Sequence, residues 1–230
     1  MSQPQEQPPE HPAAAYYSSQ AYAANQPKDL TALGILAFAT SVLATVFACV
    51  VASVLGRAIR VRAEEGIDAF DWSLVVYYIG EPFMFVSLLA GFVTGSMWLH
   101  RARRNADVLE PGREHARRSG WAWGGWVTPV VALWFPFQVV RDVRLAVSPH
   151  STVALIGWWW ALFLATEVLA WQSLRLQGDA LVQFQDGGTA RGLSIIGAAV
   201  MIAALAGWGQ VLRAVTTEQH GRMYGGRAAS

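Results

Sequence analysis

Residues 120–143 read GWAWGGWVTPVVALWFPFQVVRDV. The stretch is apolar enough to enter a bilayer, yet it carries two prolines and three glycines. If it crosses, every later loop changes sides; if it dips in and returns, the chain keeps both ends in one compartment. Pro129 and Pro136 each remove a helical hydrogen bond and crowd the preceding turn, and Gly124-Gly125 adds weak helix propensity. Trp121, Trp123, Trp126 and Trp134 favour headgroup level, where a ring is half wet. These features predict a broken helix over 120–140, re-entrant or interfacial. A kinked fifth span is the alternative.

The surroundings identify a membrane chain. It is 53% hydrophobic and 14% charged, against about a quarter charged in soluble domains. Leu30 to Gly56 holds no charge over 27 positions, roughly 40 Å of helix against a core of about 30 Å. Together with 72–99, 153–174 and 192–212 this predicts four spans in an all-α integral membrane protein. Arginine placement decides between the topologies. If 120–140 returns, twelve Lys and Arg fall on one side and five on the other; if it crosses, the split is nine and eight. The first distribution is preferred, with both termini on the arginine-rich, cytoplasmic side. Small residues every four positions (Ala37, Ser41, Thr45, Cys49 and Ser53; Ser87, Gly91 and Gly95; Ala199, Ala203 and Gly207) suit close helix approach.

Three regions result. Residues 1–28 are rich in Pro, Gln, Ala and Tyr and nearly free of aliphatic residues, which predicts a disordered cytoplasmic tail, either a spacer or a contact for a protein partner. Residues 29–214 form the membrane domain, and 215–230 a short polar tail. A single cysteine, Cys49, excludes an intrachain disulfide and a Cys-pair zinc site. The histidines lack metal-ligand spacing, and no phosphate loop or hydrolase motif occurs. No cofactor or metal, and no enzyme activity, is expected. The net charge of +1 gives no reason to expect nucleic-acid binding.

Two features are candidate sites. Glu81 and Glu167 interrupt apolar spans, where a charged carboxylate costs about 2.5–3.5 kcal/mol on insertion scales. In the four-span topology they lie roughly 13 and 10 Å from the outer end of their helices, at similar depth, and could form one polar site. Each could equally be a protonated, hydrogen-bonded structural acid. The 100–119 loop carries Arg101, Arg103, Arg104, Arg113, Arg117 and Arg118, a basic surface expected to contact anionic headgroups at about 1 kcal/mol each. Arg141 and Asp142 are expected to pair or to snorkel.

An ordered set of motifs follows the second span. Trp98, Arg101, Ala102, Arg103 and Asn105 form Trp-x-x-Arg-Ala-Arg-x-Asn. Gly125, Trp126 and Pro129 form Gly-Trp-x-x-Pro, with Pro136 seven residues on. Trp159-Trp160 and then Thr216-x-x-Gln219 complete the set. This pattern resembles a family of bacterial membrane proteins, domain of unknown function 4328, over about 98–220. Family members often carry Asn and Arg between the prolines, where this chain has Ala132 and Phe135. The resemblance implies a multi-pass protein of a bacterial cytoplasmic (inner or plasma) membrane and no assigned activity. A non-enzymatic scaffold or assembly protein and a small transporter or channel using Glu81 and Glu167 remain open, as does homo-oligomerisation.

Overall fold

A computed structural model of the chain describes residues 26–66, 70–128, 130–148, 153–183 and 188–225. Most of the predicted 1–28 tail, Pro129 and residues 226–230 lie outside the described residues. Among the described residues there are six α-helices: α1 (Thr31–Glu65), α2 (Trp72–Leu109), α3 (Trp121–Val127), α4 (Phe135–Val147), α5 (Ala154–Gln183) and α6 (Gly188–Gly225). A 3₁₀ turn at Val131–Leu133 separates α3 from α4. Helices α1, α2, α5 and α6 are long and apolar enough to cross a membrane.

The disputed stretch is not a fifth span. Helix α3 lasts only seven residues, and Pro136 sits in the first turn of α4, where its missing N–H breaks no bond. A proline that would break a continuous helix here starts a new one. Between them the backbone turns through Val130 at φ 66° and ψ −56°, close to the strained γ-turn conformation. Helix α4 keeps Val139, Val140, Val143, Ala146 and Val147 buried and half-exposes Gln138, Arg141 and Arg144.

Contacts between helices fix which ends coincide. Lys28, Asn105 on α2 and Gln219 on α6 meet at one end. The start of α5 joins them there, since Gly207 of α6 lies against Trp159. At the other end Arg57 of α1 pairs with Asp71 beside α2, and Ser173 of α5 bonds Ser194 of α6. Helices α2 and α5 therefore both meet the 120–147 segment at the terminal end, so that segment leaves and returns on one side. The predicted four-span all-α architecture is the fold observed, and among the described residues Lys28 and Gln219 lie at the same end of the bundle.

The helices run past the predicted spans. Helix α1 continues through Arg57, Arg60 and Arg62 and stops at Gly66, whose φ of 87° suits glycine. Asp71 caps α2 through Ser73 N; hydrogen bonds from Arg57 and then Ser73 hold its carboxyl well below the usual carboxylate range. Residues 215–225, expected as part of a polar tail, are the last turns of α6. Hydroxyls within the spans bond their own helix: Ser41 to Ala37 O, Thr45 to Ser41 O, Ser87 to Phe83 O, Thr166 to Leu162 O. This satisfies donors where no water is available. Thr40 and Thr94 also bridge α1 and α2 at 3.1 Å.

Candidate functional site

A cluster of buried polar groups lies at the terminal end. Asn105, 2% exposed, receives Lys28 N–H on its Oδ1 at 2.8 Å and donates from Nδ2 to Lys28 O at 2.7 Å. The side-chain amide thus pairs the main chain just before α1. The same Nδ2 donates to Gln219 Oε1, and Gln219 Nε2 donates to Ala102 O, both at 2.9 Å. One turn away Trp98 Nε1 donates to Thr216 Oγ1 at 3.2 Å. Asn105 and Gln219 are each three residues along their helices from Ala102 and Thr216, so each pair shares one face. The latch ties the α1 entry, the α2 exit and the α6 exit, and its Asn105–Gln219–Ala102 bonds are buried, so each of those groups would cost about 1–3 kcal/mol if left unpaired.

The arginine-rich segment closes over the latch. Arg101, Arg103 and Arg104 lie on α2, not in a loop. Arg103 is buried; it ion-pairs with Asp107 and donates to Arg117 O at 3.2 Å. Arg117 donates to Gln138 Oε1 at 2.9 Å and lies over the Phe135 ring, 3.9 Å from its centroid. Arg101 reaches Asp29 O. Arg104 and Arg118 are exposed, and Arg113 is half-buried. The six arginines therefore divide: Arg103 and Arg117 hold the fold, and Arg104 and Arg118 face outward.

Two further ties anchor α4. Asp142, 7% exposed, accepts from Ala116 N at 2.7 Å and from Arg141 at 3.0 Å, so the predicted Arg141–Asp142 pair forms. Arg144 ion-pairs with Glu218 of α6. The His115 side chain is only 3% exposed, with Nε2 3.6 Å from Asp107 Oδ1. Burial, and then the Arg103 guanidinium, hold its imidazole below the ordinary histidine range, against the opposite pull of Asp107 and Asp142.

The tryptophans form one aromatic seam. Trp98 meets Trp208 edge-on at 5.6 Å, Trp208 stacks on Trp159 at 4.9 Å, and Trp160 stacks on Phe163 at 5.1 Å. Trp126 of α3 contacts both Trp160 and Phe163 at 5.8 Å. Trp160 Nε1 donates to Leu133 O at 2.8 Å, satisfying a carbonyl in the 3₁₀ turn. Gly125 packs on Phe135 and Pro136, leaving only 3.3 Å between an added Cβ and Phe135 Cβ. Each motif residue inside the described region thus has a packing or bonding partner within the chain.

The two intramembrane acids are separate. Gly80 opposite Val51, Gly56 opposite Arg191 and Gly197 opposite Leu169 place Glu81 and Glu167 at nearly the same depth. Glu81 is half-buried one turn beyond Tyr77, whereas Glu167 is exposed, with Val168 and Trp171 on the outward face of α5. No hydrogen bond joins the two carboxyls among the described residues. What links their helices is a hydroxyl–amide chain: Tyr77 OH to Gln177 Oε1 at 3.0 Å, Gln177 Nε2 to Ser173 Oγ at 2.9 Å, and Ser173 Oγ to Ser194 Oγ at 2.6 Å. Sequence reasoning missed Gln177 and Ser173, both buried; their four-residue spacing on one α5 face was the available signal. Among the described residues, no group of three His, Cys, Asp or Glu is placed to hold a metal ion.

Comparison with curated proteins and with solved structures returns no match. A family model described as "Domain of unknown function (DUF4328)" matches residues 63–217. That interval runs from the end of α1 through Asn105, the hairpin and the aromatic seam to Thr216, more than half of the chain, and the chain therefore belongs to this family.

Proposed function

We propose that this membrane protein is a non-enzymatic scaffold, holding partners at the face where its two ends emerge. The observation that carries the reading is the use made of the family motif: Trp98, Arg103, Asn105, Trp160, Thr216 and Gln219 bond within the chain, so the motif builds a rigid platform. Residues 1–28 feed directly onto that platform through Lys28 and are the partner-binding arm. Arg104 and Arg118, exposed on the same face, rest on anionic headgroups. The membrane is a bacterial cytoplasmic membrane with the N-terminus inside, which the positive-inside rule supports. Co-purification tests the reading: a stable partner that is lost on deleting 1–28 supports it, and a partner set unchanged by that deletion contradicts it.

A second reading is favoured by the Tyr77–Gln177–Ser173–Ser194 chain near Glu81. Buried polar groups inside a membrane mark ion or proton paths in carriers. A small transporter would show flux in proteoliposomes abolished by Glu81→Gln, whereas a scaffold would show no flux in either form.

A further inference from the structure

Among the described residues, the 121–147 hairpin adds bulk at the terminal end of the bundle. Helices α3 and α4 pack against the terminal-end portion of α2, and α4 also reaches α5 and α6. At the opposite end α1 and α2 are joined directly through Gly66–Asp71. Among the described residues the cross-section is therefore four helices in one leaflet, and four helices plus a hairpin in the other.

The turn of that hairpin is apolar and uncovered. Val127 is 68% exposed, Val130 67% and Leu133 55%, beside a partly exposed Trp134. Its depth follows from two contacts. Leu133 O accepts from Trp160, and the Trp126 ring meets Phe163. Trp160 and Phe163 lie six and nine residues into α5, about 9 and 13 Å along the axis, against a half-bilayer of about 15 Å. The indole bond to Leu133 is what a non-helical carbonyl at that depth requires. Elsewhere on α5 Trp158 is likewise 72% exposed, and α4 carries the half-exposed Arg141 and Arg144 beyond the turn.

We infer that the turn around Val130 is immersed in the acyl chains of the leaflet on the terminal side, and that the protein is a wedge which sorts to membrane convex on that face. An apolar insertion confined to one leaflet expands that leaflet, and such insertions are sensitive to curvature. The occupant of the tip is lipid hydrocarbon; the inference is independent of the scaffold reading, since a transporter of the same shape would sort in the same way.

Two measurements test it on the full-length chain. In the first, Val130→Cys in a Cys49→Ala background is labelled with an environment-sensitive fluorophore and reconstituted into phosphatidylcholine–phosphatidylglycerol vesicles. Nitroxide on the upper acyl chain should quench the label strongly, and a water-soluble quencher weakly. Quenching from water alone, or cross-linking of Val130→Cys to another protein chain in place of lipid quenching, overturns the inference. In the second, Ser230→Cys reports orientation in small sonicated and large extruded vesicles. An excess of about twofold with termini outward is expected in the small vesicles only, and Val127→Ser/Val130→Asn/Leu133→Gln should abolish it. Equal orientation in both sizes, or a bias that survives the triple variant, overturns the wedge. The quenching arm needs one exposed substitution, so it decides the tip's location even if the triple variant fails to insert.

Discussion

Asn105 Nδ2 donates to Gln219 Oε1 at 2.9 Å across 114 positions of sequence, with both side chains essentially buried. This bond closes the bundle: it joins the end of the second span to the end of the fourth, over the main chain that leads into the first. Gln219→Ala should strand one Asn105 N–H and weaken the hold on Ala102 O, costing about 1–3 kcal/mol. Gln219→Glu should be at least as damaging, because an ionised carboxylate cannot donate to Ala102 O. Thermal unfolding of the purified protein in detergent checks both; wild-type stability in either variant would remove the latch from the account.

Helix approach makes a paired prediction. A Cβ on Gly209 would lie 2.8 Å from the Phe38 ring, whereas one on Gly197 would meet Leu169 Cβ at an ordinary 3.6 Å. Gly209→Ala should therefore destabilise by about 1–3 kcal/mol through overpacking. Gly197→Ala should be neutral or stabilising by up to about 1 kcal/mol, from helix propensity. The contrast in unfolding midpoints is the test, since both changes add one methyl to the same helix.

The architecture was legible because its signals are long and additive. Twenty-seven uncharged positions in a row leave little choice but a span, and the arginine split separated two topologies by a wide margin. Pro136 was read as a break, and its place in the first turn of α4 gives that break a physical form. The latch was legible only as a motif: nothing in the spacing says that Asn105 bonds Gln219, since that bond depends on how three helices converge. The arginine cluster misled for the same reason. Six like charges read as one headgroup-facing basic surface, yet Arg103, paired with Asp107 one turn on, is buried against Arg117 O, a burial that only tertiary packing decides. Glu81 and Glu167 share a depth, as read, but helix rotation turns Glu167 outward, and residue counts along a span do not fix that rotation.

The turn between α3 and α4 stores strain. Val130 holds φ 66°, a region that costs a non-glycine residue on the order of 1–3 kcal/mol. Val130→Gly should stabilise the turn by about 1 kcal/mol, net of the entropy that glycine loses on ordering. Trp160→Phe should do the opposite, leaving Leu133 O without its donor at a cost of about 1–3 kcal/mol. Unfolding midpoints moving in opposite directions are expected; a loss in Val130→Gly would contradict the assignment of strain.

His115 contributes to the pH response of the terminal face. Its folded-state pKa is held below the ordinary value by burial and by Arg103. The unfolded segment then binds a proton more readily than the folded one, so stability falls as pH drops through the unfolded value, about 6.5, toward the folded one. Hydrogen exchange at the Ala116 amide, which is bonded to Asp142, should accelerate between neutral and mildly acidic pH. His115→Gln should flatten that dependence. Exchange that is indifferent to pH in the wild type would contradict it.

The central claim is that residues 120–147 leave and re-enter the bilayer on one side. Single cysteines replacing Arg118, Ser148, Thr189 and Ser230 in a Cys49→Ala background, probed in intact cells with a membrane-impermeant maleimide, test it most directly. The account predicts that positions 118, 148 and 230 behave alike and that 189 alone reacts from the other side. Reaction of Ser148→Cys and Ser230→Cys from the side opposite Arg118→Cys would mean that the segment crosses, and would contradict the fold proposed for this chain.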